Sequence, residues 1–498
     1  MKNNLKYDVV ILGAGNAALC AALAAREQGA KVLLLERAPA SFRGGNSYFT
    51  DGAIRFAYKN LDDIRKIIPE LTDEQAAKVD VGSYTEEEYF EDLMRVTKGK
   101  ANRDLAQRLV NQSYPTIQWL YNQGVRFSLL YQNQAFKSND RYHFWGSLVV
   151  KSVGKGIGLI DTLFERAEQM GVEIWYEARG KALIKNSQGK ITAIEVQRGE
   201  DTVKVEAEAI VLASGGFEAN PEMRVSNLGS EWKDALVRGT QYNTGDGIRM
   251  AVEVGAVSYG DWEGCHSIAT DLNAPVVGDF SKPGDIFKKH CYPLGIMVNK
   301  NGDRFVDEGA DFRNYTYAKY GRAILNQPDN IAYQIFDNKV AKLLREEYEL
   351  EEATRLEART LEALAARIDI DKQRFLETVR SYNEAVLEGD YNPHIKDQKG
   401  TVGINPPKSN WALKIDTPPF LAFPVTCGIT FTFGGLKVTT NSQVLDTNDR
   451  VIPGLYAAGE LVGGLFYHNY PGGSGLMSGA TFGKIAGTHA ATERIIFK

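Results

Sequence analysis

The sequence predicts an α/β fold in which a Rossmann-like dinucleotide-binding domain is interrupted by an inserted cap. Three observations carry this. A strand, a glycine turn, a helix and a second strand open the chain between Tyr7 and Arg37. Apolar strands ending in small residues recur at Ala209–Phe217 and Val451–Glu460. The stretch between them has helices of its own. The expected division is 1–262 and 427–498 for the dinucleotide domain, with 263–426 inserted as a capping and substrate domain.

Each element has a local cause. Tyr7-Asp8-Val9-Val10-Ile11-Leu12 is apolar and β-branched, as a buried strand should be. Gly13-Ala14-Gly15-Asn16-Ala17-Ala18 follows at once. Its glycines permit a tight turn and close approach to a pyrophosphate, and Ala18 is a small enough substitute for a third glycine. The Ala/Leu-rich run to Gln28 forms a helix whose N-terminus faces that pyrophosphate. Lys31–Glu36 is the second strand, and Glu36 is placed to accept ribose hydroxyls. The loop Arg43-Gly44-Gly45-Asn46-Ser47 can meet phosphates or a polar ring edge.

Residues 60–125 read as helical in four segments: 61–71, 72–81, 85–96 and 102–124. A further helix follows Gly154, and Val172–Tyr176 reads as a strand. Residues 181–184, 191–196 and 202–205 read as three antiparallel strands, separate from 209–217. In the middle region, helices are expected at 337–347, 360–366 and 371–387. Gly472-Gly473-Ser474-Gly475 opens a last helix to Ile496.

Composition sets bounds. Of 498 residues, 43% are hydrophobic and 24% charged, with net charge −5, an ordinary globular balance with no basic tract for nucleic acid. Met1–Lys6 leads straight into the first strand, and no apolar run spans a membrane. The four cysteines are scattered, without a metal or disulfide pattern. A reduced, cytoplasmic setting is expected, with no metal.

The opening unit, Gly44-Gly45-Asn46-Ser47, Ala213-Ser214-Gly215-Gly216-Phe217, Asn243-Thr244-Gly245-Asp246-Gly247 and Ile452–Glu460, in this order, resemble the succinate dehydrogenase/fumarate reductase flavoproteins. The resemblance implies FAD, a glutathione-reductase-type FAD domain and an α+β capping domain. Cofactor contacts are then expected from Gly13, Gly15, Asn16, Ala17, Ala18, Glu36, Arg37, Arg43, Gly44, Gly45, Asn46, Ser47, Ala213, Ser214, Gly215, Asn243, Asp246, Gly459, Glu460, Ser474, Gly475 and Leu476. Between Glu36 and Ala57 there is no histidine of the kind that links FAD covalently in succinate dehydrogenases, so non-covalent FAD is expected.

Within this family, the stretches around Cys265-His266, His290–Asn299, Arg304–Tyr315 and His468–Gly475 resemble tricarballylate dehydrogenases. They imply hydride transfer to flavin N5 from a carbon–carbon bond beside a carboxylate, giving cis-aconitate. An enoate reductase of the fumarate reductase kind, a ketosteroid-type dehydrogenase and a non-catalytic electron carrier are the alternatives. Arg313 matches the family's proton-donating arginine, and His266 its carboxylate-binding histidine. His290, His468, Thr430 and Gly473 are further substrate candidates. Departures are informative: Thr430-Phe431 replaces a second histidine, Lys288 and Cys291 replace a relay pair, and Tyr470 replaces a clamping arginine. Tyr470 therefore competes with Arg313 for proton transfer. The chain has no haem-attachment motif, so a small carboxylate substrate and a separate iron–sulfur or membrane electron partner are expected.

Overall fold

The computed structural model describes residues 5–138, 140–144, 147–282 and 285–496. The fold begins as expected, with β1 (Lys6–Leu12), α1 (Asn16–Glu27) and β2 (Val32–Leu35). Helices α2 (Glu86–Val96), α3 (Arg103–Asn122) and α4 (Lys155–Gln169) follow, then β3 (Glu173–Trp175). Thr85 and Glu88 form a reciprocal capping box at the start of α2, and Asn102 caps α3. β3 pairs in parallel with β2, which pairs in parallel with β1.

β4 (Ala178–Lys185), β5 (Ile191–Arg198) and β6 (Asp201–Leu212) form an antiparallel meander. Here the chain departs from expectation. The segments at 202–205 and at the start of 209–217 are one twelve-residue strand. Its first half completes the meander, and its second half lies between β1 and a C-terminal strand, so the same strand serves both pairings. After α5 (Asp246–Glu253) comes β7 (Ser258–Asp271), then β8 (Ile296–Asn299), α6 (Tyr317–Leu325) and β9 (Ala332–Phe336). α7 (Lys372–Ala385) leads to β10 (Phe420–Leu436), β11 (Gln443–Leu445), β12 (Val451–Ala457) and α8 (Ser474–Ile496). β12 pairs with the end of β6 and closes the large sheet.

β7 and β10 are the long strands that tie the second sheet to the first domain. They pair antiparallel from Ser258↔Leu436 to Asp271↔Val425, and β9 and β8 extend the sheet beyond. Residues 262/263 and 426/427 fall inside these strands. Two corrections concern helices. No continuous helix spans 337–347; there are short 3-10 turns at Ala341–Leu343 and Glu346–Tyr348. The Asp337 carboxylate accepts from the backbone N–H groups of Lys339, Asp416 and Thr417, which fastens this segment to a distant loop as a turn. Segments 61–71 and 72–81 shrink to Leu61–Arg65 and Asp73–Ala77, with Pro69 between them.

α8 crosses α1 at backbone contact. A Cβ on Gly483 would lie 2.3 Å from the Ala17 carbonyl oxygen, and one on Gly487 would lie 2.0 Å from that of Ala21. Glycines four apart thus put one face of α8 against the helix that begins at the fingerprint. Among the described residues, no helix is long and apolar enough to cross a membrane.

Candidate active site

One large cavity runs from the fingerprint turn to the second sheet, with about 2170 Å³ of empty space including its mouth. Its first half is built by the fingerprint. Gly13 has φ +106°, and a Cβ there would lie 2.3 Å from the Ala213 carbonyl oxygen, so only glycine lets β1 and β6 end side by side. Gly15 and Gly45 are not crowded: the nearest atoms to an added Cβ are 3.5 and 3.8 Å away, at ordinary van der Waals distance. Asn16 N donates to Ser47 Oγ (3.1 Å), and Asn16 Nδ2 donates to the Leu476 carbonyl (2.8 Å), joining three segments at the start of α1.

Glu36 lies at the far end, its Oε1 accepting from Ala38 N at 2.7 Å. Burial pushes this carboxyl up to about 7, with the Ala38 N–H and Arg37 opposing. Asp246 takes a two-point contact from Arg179 (2.8 Å each) and one from Arg37 (3.0 Å). Asn46 Nδ2 donates to the Thr430 carbonyl and to Glu218 Oε1 (both 2.6 Å), which also accepts from Asn243 (2.7 Å). Glu460 Oε1 accepts from Thr432 N (2.8 Å). The glycine gap, the start of α1 and the terminal carboxylate together fit a dinucleotide of the FAD kind.

The second half holds the chemistry. Arg304 and Glu308, both buried, form an ion pair, and Glu308 Oε1 accepts from Met297 N (2.7 Å), which pins the following loop to β8. That loop ends at Arg313, just before α6. Arg313 is half-buried, with its Nε fully enclosed. Its Nη1 meets His290 Nδ1 (3.3 Å), its Nη2 donates to Asn314 Oδ1 (3.2 Å), and its Nε has no partner. Among the described residues, no carboxylate lies within ion-pair distance of it. Burial, then Arg345, lowers its pKa to about 10, so it remains charged at neutral pH.

His266 and His290 are both held neutral, chiefly by burial, then by Arg238 and Arg313 respectively. Both ring nitrogens of His266 and Nε2 of His290 are buried without a partner. His266 sits opposite Phe431 in the β7–β10 ladder, next to a bulge in which Thr430 is the extra residue. The Thr430 hydroxyl accepts from Arg238. The His266 ring centroid lies 5.0 Å from those of Tyr317 and Tyr470 and 5.2 Å from that of Phe431. Tyr317 and Tyr470 share a hydroxyl–hydroxyl hydrogen bond, and the Arg313 guanidinium lies over the Tyr317 ring at 5.5 Å. Burial raises the Tyr470 hydroxyl well above 10.

Most of the residues singled out in sequence line this cavity: Gly13, Gly15, Asn16, Ala17, Glu36, Arg37, Gly45, Asn46, Ser47, Ala213, Ser214, Gly215, Asn243, Asp246, His266, His290, Arg313, Thr430, Gly459, Glu460, Tyr470, Gly473, Gly475 and Leu476. Five do not. Arg43 turns outward, donates to Tyr176 Oη (3.1 Å) and lies over the Phe164 ring, because Gly44 at φ +104° reverses the chain beside it. Gly44 itself packs on Ile160. Ala18 is buried inside α1 packing, and the Ser474 hydroxyl is taken by Tyr89 (2.9 Å). His468 is exposed, with only its backbone N–H tied inward to Asp261 (2.9 Å).

Sequence reasoning missed Arg238, Asp51, Asp285, Tyr317 and Arg345, and read Lys288 only as a departure. All line the cavity. Arg238 pairs with Asp285, and Lys288 with Asp51. Burial would raise Asp51, but Lys288 prevails and draws it down to about 2. Tyr317 carries a local signal, four residues after Arg313. The others come from segments with no shared motif.

The site is therefore that of an FAD-dependent oxidoreductase. The FAD binding domain family model (FAD_binding_2) matches residues 8–476, and the chain belongs to that family. A probable fumarate reductase, Ifc3, of Shewanella frigidimarina is 31% identical, with 98% of this chain and 75% of that protein covered. A vinyl phenol reductase of Lactiplantibacillus plantarum is 29% identical, covering 97% and 96%. The open form of a flavocytochrome c3 fumarate reductase superposes with a TM-score of 0.73 at 28% identity, covering 98% of this chain and 78% of that one. These relatives support the fumarate reductase/succinate dehydrogenase flavoprotein grouping.

Proposed function

We propose that this chain reduces the carbon–carbon double bond of an enoate. The observation that carries this reading is Arg313, a partly enclosed guanidinium that faces the cavity and hydrogen-bonds only neutral groups. A buried charge without a counter-ion is costly, and a substrate carboxylate is the natural partner. A ketosteroid would leave it unmatched. Tricarballylate, the finer expectation from the motifs, would bring three carboxylates. The activities of the similar fumarate reductases favour reduction over that dehydrogenation.

FAD supplies hydride chemistry when bound; Asn46, Glu460, Gly475 and Leu476 would hold its ring end. Arg313 anchors the carboxylate and steadies the negative charge that grows on it. His290, neutral and bonded to Arg313, adds a second polar contact. Tyr470 gives the proton to the α-carbon, and Tyr317 passes one back to it across their shared hydrogen bond. The wall of Leu130, Leu148 and Phe431 excludes water. Residues 263–426 act as the cap over the substrate, and a separate electron carrier supplies the reducing equivalents.

Three results are expected. Anaerobic, dithionite-reduced protein is reoxidised by enoates and not by their saturated acids, and Tyr470→Phe lowers kcat by about 10²-fold or more with little change in KM. Failure of every enoate would overturn the reading, and an unimpaired Tyr470→Phe would return the proton to Arg313. Second, Glu36 must ionise to accept ribose hydroxyls, and its raised value leaves it protonated below pH 7 in the free protein. FAD affinity should fall about tenfold from pH 8 to pH 6, and Glu36→Gln should flatten that slope. The same slope in Glu36→Gln would place the titration elsewhere. Third, with no histidine between Glu36 and Ala57, acid precipitation should leave the flavin in the supernatant. Flavin in the pellet would show a covalent link through another residue.

A further inference from the structure

The substrate half of the cavity has two unlike walls. One carries Arg238, Lys288, His290, Arg313 and Arg345; the other carries His266, Phe431, Phe433, Phe466 and Tyr470. Tyr317 stands between them, its ring centroid 5.1 Å from that of His290 and 5.0 Å from that of His266.

The charge balance of the first wall is specific. Asp285 answers Arg238 and Asp51 answers Lys288, and both carboxylates line the same cavity. The hydrogen bonds of Arg313 go only to neutral groups, while Asp51 and Glu347 act on it from beyond ion-pair distance. Arg313 therefore offers a seat for a substrate carboxylate. The second wall is a cluster of ring edges and faces: Phe431 lies 5.3 Å from Phe433, 6.0 Å from Phe466 and 5.1 Å from Tyr470, centroid to centroid. Its polar atoms facing inward are those of the neutral His266 and the Tyr470 hydroxyl, with no lysine or arginine among the five residues. A second carboxylate pressed there would lose its water without gaining an unpaired cation, since the nearest one, Arg238, is already held by Asp285. A flat ring would instead find partners at ordinary aromatic spacing.

We infer that the substrate is a 3-arylacrylate, with its single carboxylate on Arg313 and its ring among Phe431, Phe433, Phe466 and Tyr470. This rests on the enoate reading above and narrows it. In balance, the β-carbon beside the ring gains the hydride that reduced FAD gives up. The π pair moves to the α-carbon and forms a C–H bond with the proton from Tyr470. The products are a 3-arylpropanoate and oxidised FAD, so reduced FAD is the stoichiometric reductant.

The test uses the dithionite-reduced holoprotein under anaerobic conditions, mixed with cinnamate, crotonate, fumarate or cis-aconitate while flavin reoxidation is followed. Cinnamate should react with a second-order rate constant at least about tenfold above the others. Phe431→Leu should reduce the cinnamate-to-crotonate ratio severalfold while retaining FAD. Fumarate or cis-aconitate reacting faster than cinnamate would overturn the aryl class and leave the enoate reading standing. An equal fall on cinnamate and crotonate in Phe431→Leu would also overturn it, since the ring contact would then be absent. No reaction with any of the four would remove the enoate reading itself.

Discussion

An enclosed guanidinium calls for a negative charge, and among the described residues no carboxylate lies within ion-pair distance of Arg313, whose hydrogen bonds go to neutral groups. Arg238 and Lys288 settle their charge on Asp285 and Asp51. His290, adjacent to Arg313, is kept neutral by burial and by that guanidinium. The arrangement of the site follows from this constraint. A cation held in low dielectric with neutral partners is preorganised for an anion, because little solvent needs to reorganise when the anion arrives. The Arg304–Glu308 pair performs the complementary task. It is a satisfied buried ion pair that anchors the following loop to β8, while the nearby Asp311 is held by Arg95 and Lys396.

The two sheets divide the work. The large sheet ends its parallel strands at one edge, where Gly13, Ala213 and Gly459 line the cavity. The second sheet reaches that edge through β7 and β10, whose register slips by one residue between His266 and Ser267. Without the slip, Thr430 would sit in the ladder, and neither its hydroxyl to Arg238 nor its carbonyl to Asn46 would be placed as they are. A local irregularity in a long ladder thereby connects the cofactor loop to the charged wall.

How much of this was legible in sequence depended on how local the cause was. The cofactor cradle was legible, because a glycine that must have positive φ, a helix start and a strand-end acid lie within thirty residues. Helices with their own caps, such as that beginning after Thr85, were also legible. The segment 337–347 was not, because Asp337 serves backbone groups eighty residues away. Arg43 and Gly44 lie outside the cavity because a left-handed glycine reverses direction within one residue. His468 faces outward while its neighbours Phe466 and Tyr470 line the cavity. The cation wall was the least legible part. Arg238, Lys288 and Arg313 belong to separate segments, and their pairing with Asp51 and Asp285 exists only after the fold has formed. The fold class and FAD could therefore be read before the structure, whereas the charge count that bears on substrate could not.

The most direct measurement of this constraint compares a carboxylate with its neutral twin. Oxidised holoprotein would be titrated with butanoate and with butanamide, following the flavin absorbance, in the wild type and in Arg313→Gln. Butanoate should bind about tenfold or more tightly than butanamide to the wild type, and the preference should vanish in the variant. Equal binding of acid and amide to the wild type, or a preference that survives in Arg313→Gln, would contradict the assignment of Arg313 as the carboxylate anchor.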